Sequence, residues 1–130
     1  MFEKLEITRM AQALSSYAGA RLGLVAQNVA NADTPGYKAR DLPDFAEVWR
    51  GGGDLRATRS GHLGGGAGGA EATVAPILRS KAPDASPDGN TVALETEMLT
   101  AADLRQQNEM ALAVYRTTSS VIRSSLGIQR

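Results

Sequence analysis

The chain has 130 residues and no cysteine, with 14 basic and 14 acidic side chains and a formal net charge of zero. That length allows one domain at most, and the missing cysteines exclude disulfide scaffolds, thiolate zinc sites and a cysteine nucleophile. The even charge, with no basic stripe, argues against nucleic acid or an anionic lipid surface as a partner.

Aromatic residues make up only 5% of the chain and much of its apolar content is alanine, so a large self-contained core is hard to build. The first part, residues 1–31, is patterned as a helix from about Glu3 to about Asn31. Ile7, Ala11, Leu14, Ala18, Leu22, Val25 and Val29 recur at steps of three and four and make one stripe. Charges at Glu3, Lys4, Glu6 and Arg9 interrupt the opening residues, which therefore do not read as a secretory signal peptide. No run approaches the roughly 18 apolar residues of a membrane span. Composition alone makes a soluble cytoplasmic protein the default expectation.

The helix pattern stops hard at "NADTPGYKARD", Asn31 to Asp41. Thr34 precedes Pro35 and is biased away from helix, and Pro35-Gly36 suits the two central positions of a type II turn. Asn28 and Asn31 share a face of the last helical turn, where their side chains are placed to satisfy loose backbone groups. For any one of these residues a plain stop signal is the simplest reading.

Residues 32–91 form the second part, which holds all five prolines and most of the glycines. "DLPDFAEVWR" suits a short amphipathic turn of helix with Phe45, Val48 and Trp49 on one side. "GHLGGGAGGAEA" offers few side chains to pack and reads as a flexible tract. Around Val74, Ile77 and Leu78 the pattern is β-like, but Pro76 limits it to an edge strand or a short hairpin arm. "SPDGN" is a strong turn signal.

Residues 92–130 return to a helical pattern, from about Val92 to about Leu126. Leu94, Met98, Ala101, Leu104, Ala111, Tyr115, Thr118 and Ile122 fall near one face, with Asn108 as an interruption. Glu95, Glu97 and Asp103 come early and Arg116, Arg123 and Arg130 late, an order that suits the helix dipole. Gly127 is the expected stop. The fold class predicted is mainly α: two long terminal helices packing as a coiled-coil-like pair, an irregular Gly/Pro-rich middle, and at most a short β-hairpin. Each helix would be roughly 40 to 50 Å long. Long helices with thin stripes of Ala, Ser and Thr leave much apolar surface in water, so partners with similar helices, or further copies, are expected.

Taken together, "N-x-A-N-x-x-T-P-G-Y-K" from Asn28 to Lys38 resembles the signature near the N-terminus of bacterial flagellar rod and hook proteins. "YKARDLPDF", "ATRSGHL", "SPDGNTVALETEM" and "NEMALAVY" narrow the resemblance to the proximal-rod branch of that axial family. It covers both ends of the chain well and the Gly-rich centre poorly. The resemblance implies a structural subunit of the basal-body rod, polymerising through its terminal helices into the shaft that carries torque from the membrane ring to the hook. It implies export through the flagellar type III apparatus without a cleaved signal, and a periplasm-spanning location. Its neighbours would be other copies, rod proteins such as FlgC, the adaptor FliE and the membrane ring, with no cofactor. Asn28, Asn31, Thr34, Pro35, Gly36, Tyr37 and Lys38 match the assembly motif one by one. The helix-interface residues carried over with it are Ile7, Leu14, Leu22, Val25, Val29, Met98, Leu104, Tyr115 and Ile122.

Three rivals were weighed. "DASPDGNTVALE", Asp84 to Glu95, approaches an EF-hand loop, with Asp84, Ser86, Asp88, Gly89 and Glu95 at ligand and turn positions. Pro76 and Pro83 spoil an entering helix, Pro87 sits inside the loop, and Thr91 stands where a β-branched apolar residue is usual. An enzyme is disfavoured, because His62, the single histidine, sits beside a glycine tract with no partner base in the pattern. A soluble helical adaptor or export chaperone is compatible with the amphipathic helices but not with the turn motif and the second signature together.

Overall fold

The computed structural model describes residues 2–51, 76–79 and 87–127. The Gly-rich tract, "ATRSGHL", His62, Val74, Pro83 and Asp84 to Ser86 lie outside the described residues. The order of elements is α1 (Phe2–Ala30), β1 (Arg40–Asp41), α2 (Phe45–Gly51), β2 (Ile77–Leu78) and α3 (Leu94–Ser125).

The two long helices contain no proline and are rich in Ala, Leu, Met, Glu, Gln and Arg, which outweigh Gly19 and Gly23 in α1. α1 ends one residue before Asn31, as Asn31 and Ala32 turn their N–H groups back to Gln27, Asn28 and Val29. α3 starts from an extended Ala93 and stops at Gly127, which takes a positive φ of 71° and donates to the Ser124 carbonyl. That is the glycine-terminated helix end the sequence predicts.

α1 and α3 lie antiparallel. Ser15 on α1 meets Asn108 on α3, while Asn28, further along α1, meets Glu97, earlier on α3. Between these points Ala18, Val25 and Leu104 form a buried cluster, with Leu22 and Ala101 packed against it. Burying Leu104 contributes about 1.5–3 kcal/mol. Ala11, Ala18 and Ala111 bury little area but let the helix axes approach closely.

A second cluster lies beside the first. Tyr17, Leu24 and Leu42 are buried together, with Leu14, Phe45 and Val48 against them. α2 thus lays its apolar side on α1, as its spacing predicts. Trp49 stays at the rim, stacked on Phe45 at 6.0 Å between ring centroids, and Phe45 in turn leans on Tyr17 at 5.4 Å. The Tyr17 hydroxyl donates to the Pro43 carbonyl at 2.6 Å and fixes the start of α2.

β2 pairs antiparallel with β1, Arg40 opposite Leu78 and Asp41 opposite Ile77. The strand is therefore not an arm of a local hairpin. Its partner follows the first turn, in a stretch whose sequence shows no strand pattern. Ile77 and Leu78 face outward, 49% and 63% exposed.

Asn108 does not interrupt the α3 stripe. Glu97, Ala101, Leu104, Asn108 and Ala111 follow each other at steps of four and three, which is the seam of a helix pair. Asn108 accepts a hydrogen bond from Ser15 within that seam. No described helix is long and apolar enough to cross a membrane.

Candidate functional site

The turn after α1 is held from both sides. Pro35 and Gly36 occupy its centre, Gly36 has φ of 72°, and the Tyr37 N–H donates to the Thr34 carbonyl at 3.2 Å. A type II turn needs that positive φ, which glycine reaches without strain. A second turn, at Pro87 to Gly89, packs against it, with Gly89 at φ 77°. The Gly36 N–H donates to the Asp88 carbonyl at 3.0 Å, and the Lys38 ammonium donates to the Gly89 carbonyl at 2.8 Å.

Asn90 closes the junction. It is 4% exposed, and its side-chain amide nitrogen lies 3.0, 2.7 and 2.9 Å from the carbonyls of Asn31, Ala32 and Thr34. These carbonyls belong to the turn that follows α1, and a residue some sixty positions further on supplies their donor. The Asn90 carbonyl oxygen accepts from the Val92 N–H and so fixes the approach to α3. Thr91 continues the zipper. Its N–H donates to the Tyr37 carbonyl, and its hydroxyl accepts from the Ala39 N–H.

A second polar centre lies on the inner side of the same segment. Asn28 is fully buried. Its amide nitrogen donates to the Arg40 carbonyl at 2.8 Å and to Glu97 Oε2 at 3.2 Å. Its oxygen accepts from the Arg40 N–H at 3.0 Å and the Tyr37 hydroxyl at 3.3 Å. The side chain thus pairs with both backbone groups of Arg40, as a neighbouring strand would, and uses its full hydrogen-bonding capacity.

Glu97 connects this centre to a chain of charges. Its Oε1 accepts from Arg79 at 2.6 Å, and Arg79 donates its other nitrogen to Asp41 at 2.9 Å. Arg21 grips Asp41 with two bonds of 2.6 and 2.8 Å. Burial pushes the Asp41 carboxyl up, but hydrogen bonds from Arg21, Arg79 and the Leu42 N–H outweigh it and hold the group below its ordinary value. Burial also raises the Tyr17 phenol. Among the described residues every buried polar side-chain atom has a partner.

The motif residues therefore divide. Asn28 and Tyr37 join the inner centre, while Gly36 and Lys38 touch the second turn. Asn31 and Thr34 bond each other at the exposed edge, with Asn31 also donating to Gln27. Of the two asparagines the sequence offers as caps, Asn31 does serve the helix end, through Gln27, while Asn28 serves the strand and Asn90 holds the turn. Of the helix-interface residues, Leu14, Leu22, Val25 and Leu104 pack within the chain. Ile122 is half-buried, and Ile7, Val29, Met98 and Tyr115 are exposed at 40% or more.

Reasoning from sequence missed Arg21, Asp41, Arg79, Asn90 and Glu97. One signal was available for Glu97: it stands seven residues before Leu104, on the same seam. Of the calcium-loop positions, Asp84 and Ser86 lie outside the described residues, Asp88 accepts from Gly36 through its carbonyl, and Glu95 is exposed. Among the described residues no group of three His, Asp or Glu side chains is placed to hold a metal ion.

The geometry can hold two helix ends and a turn rigid. Such a clamp defines a helical structural module. A family model described as "Flagella basal body rod protein" matches residues 18–38, from the middle of α1 to the end of the turn. Over 128 residues the chain is 35% identical to the flagellar basal body rod protein FlgB of Salmonella typhimurium, covering 88% of each chain. It is 36% identical to FlgB of Escherichia coli over 127 residues, covering 87% of this chain and 88% of that one. With FlgB of Cereibacter sphaeroides it shares 42% identity over 96 residues, 71% of this chain and 73% of the other. The chain belongs to the flagellar basal body rod protein family, whose members are structural subunits of the flagellar basal body.

Asn90→Ala removes the donor to three carbonyls and should lower stability by about 1–3 kcal/mol in urea unfolding followed by circular dichroism. Asn31→Ala, which loses only exposed bonds, should cost clearly less, and equal losses would contradict the clamp. Asp41 carries a second expectation. Its folded pKa lies below the ordinary value of 3.8, so its contribution is complete above that value and is lost as pH falls through the lower folded value. Asp41→Asn should therefore be less stable than the parent at neutral pH, with the gap closing below about pH 4. A gap of constant size down to about pH 3 would show that the ion pairs contribute nothing.

Proposed function

We infer that this chain is a subunit of the proximal rod, exported through the flagellar type III apparatus without a cleaved signal and polymerised across the periplasm. Its terminal helices join the inner layer of the shaft, beside further copies and rod proteins such as FlgC, with the adaptor FliE and the membrane ring at its base. The observation that carries this reading is the match to FlgB relatives along 88% of the chain, α3 included.

The exposed apolar residues support it. Met98, Leu99 and Met110 are 68%, 69% and 59% exposed on a helix whose other side already packs on α1. A helix pair of this kind gains stability when further helices cover that surface. The net charge of zero lets many copies pack without accumulating repulsion. A rod that carries torque needs each subunit to resist twisting between its helices. The clamped turn supplies such a stop, because Gly36 and Gly89 hold backbone conformations that other residues adopt only under strain.

Mass spectrometry of detergent-purified hook–basal bodies tests this directly. The chain should be present in a few copies per particle beside other rod proteins, and Pro35→Ala with Gly36→Ala should reduce both its incorporation and swimming. Recovery only from soluble cytoplasm, as a discrete dimer, would instead indicate an adaptor or export chaperone.

A further inference from the structure

β2 and Arg79 are attached to the rest of the chain in an unusual way. Neither large apolar residue of the strand is buried, since Ile77 is 49% and Leu78 63% exposed. The segment therefore gains little from the hydrophobic effect. Among the described residues, what holds it is the short ladder to β1, the Arg79 N–H on the Ala39 carbonyl at 2.9 Å, and the Arg79 side chain.

That side chain spans three elements. One guanidinium nitrogen reaches Glu97 on α3 at 2.6 Å, and another reaches Asp41 on β1 at 2.9 Å. Asp41 is in turn held by Arg21 of α1, and Glu97 by Asn28 of α1. The two carboxylates stand close enough to share one guanidinium only when α1 and α3 are paired in register. Glu97 is also completely buried. A buried carboxylate without a cation is costly, so the helix pair and Arg79 need each other.

We propose that residues 76–79 form a strap that closes only on the completed helix pair, with Arg79 as its latch across Asp41 and Glu97. The ladder to β1 alone does not hold it, because two residues of isolated strand are too few to be stable. The strap thus makes the docking of the middle segment conditional on α1–α3 pairing. This device goes beyond the rod assignment and does not depend on it.

Hydrogen exchange on the full chain tests the latch. In Glu97→Gln, which keeps the shape and removes the charge, amides of residues 77–79 should exchange about tenfold to a hundredfold faster. Arg79→Met should do the same. Amides of residues 18–25 and 101–111 should stay protected in Glu97→Gln, where no buried charge is left unpaired. Unchanged exchange at 77–79 in Glu97→Gln would overturn the proposal, since the strap would then depend on β1 alone. Equal acceleration of strap and helices would overturn it as well, by showing no separate closure. If neither variant folds, the parent chain decides. In native-state exchange at low urea concentration the strap amides should open before the helix amides, and a parallel response would reject the latch.

Discussion

Glu97 is a carboxylate with no exposure to solvent, and it sits on the face of α3 that packs against α1. Removing a charge from water is costly unless partners replace the lost hydration. Here those partners are the Asn28 amide and the Arg79 guanidinium. The requirement fixes how far one helix can slide along the other. The small side chains of Ala11, Ala18 and Ala111 do not fix it, since they offer smooth surfaces. Ser15 and Asn108 repeat the constraint further along the pair. Apolar packing brings the helices together, and the polar contacts set their register.

From that register the turn follows. With Asn28 committed to Arg40 and Glu97, the chain after α1 must run back along the helix, and Tyr37 and Ala39 come to lie beside Thr91. Asn90 then binds three carbonyls of the turn just after α1. The start of α3 and the end of α1 are thus tied by one side chain. A subunit that must keep its two helices at a fixed offset under load benefits from a joint in which rotation of either helix breaks several bonds at once. The thin apolar core suits the same role, because Met98, Leu99 and Met110 remain outside for further helices to cover.

Much of this was legible in the sequence. The three-and-four spacing from Ile7 to Val29 and from Leu94 to Ile122 placed both helices within a residue or two of their ends. Pro35-Gly36 foretold the turn, and Gly127 the stop. What escaped was long-range pairing of polar groups. Arg79, in an irregular segment after Pro76, carries no periodic signal, and its partners lie 38 and 18 positions away. Asn90 reads as an ordinary turn residue because its task, serving carbonyls near Asn31, is set by the tertiary fold. Asn108 breaks the apolar stripe in sequence, which suits either a register-setting residue or one facing solvent. Its hydroxyl partner, Ser15, makes it part of the α1–α3 seam.

Within one subunit, α1 and α3 pair in antiparallel register through these polar contacts. The chain has no cysteine, so two introduced cysteines would be the only ones present. Ser15→Cys with Asn108→Cys places them where the native side chains approach to 2.6 Å. Mild oxidation of assembled basal bodies, followed by non-reducing electrophoresis, should give a fast-migrating monomer with an internal disulfide. Cross-linked dimers, or an unbridged monomer, would contradict the pairing within a subunit.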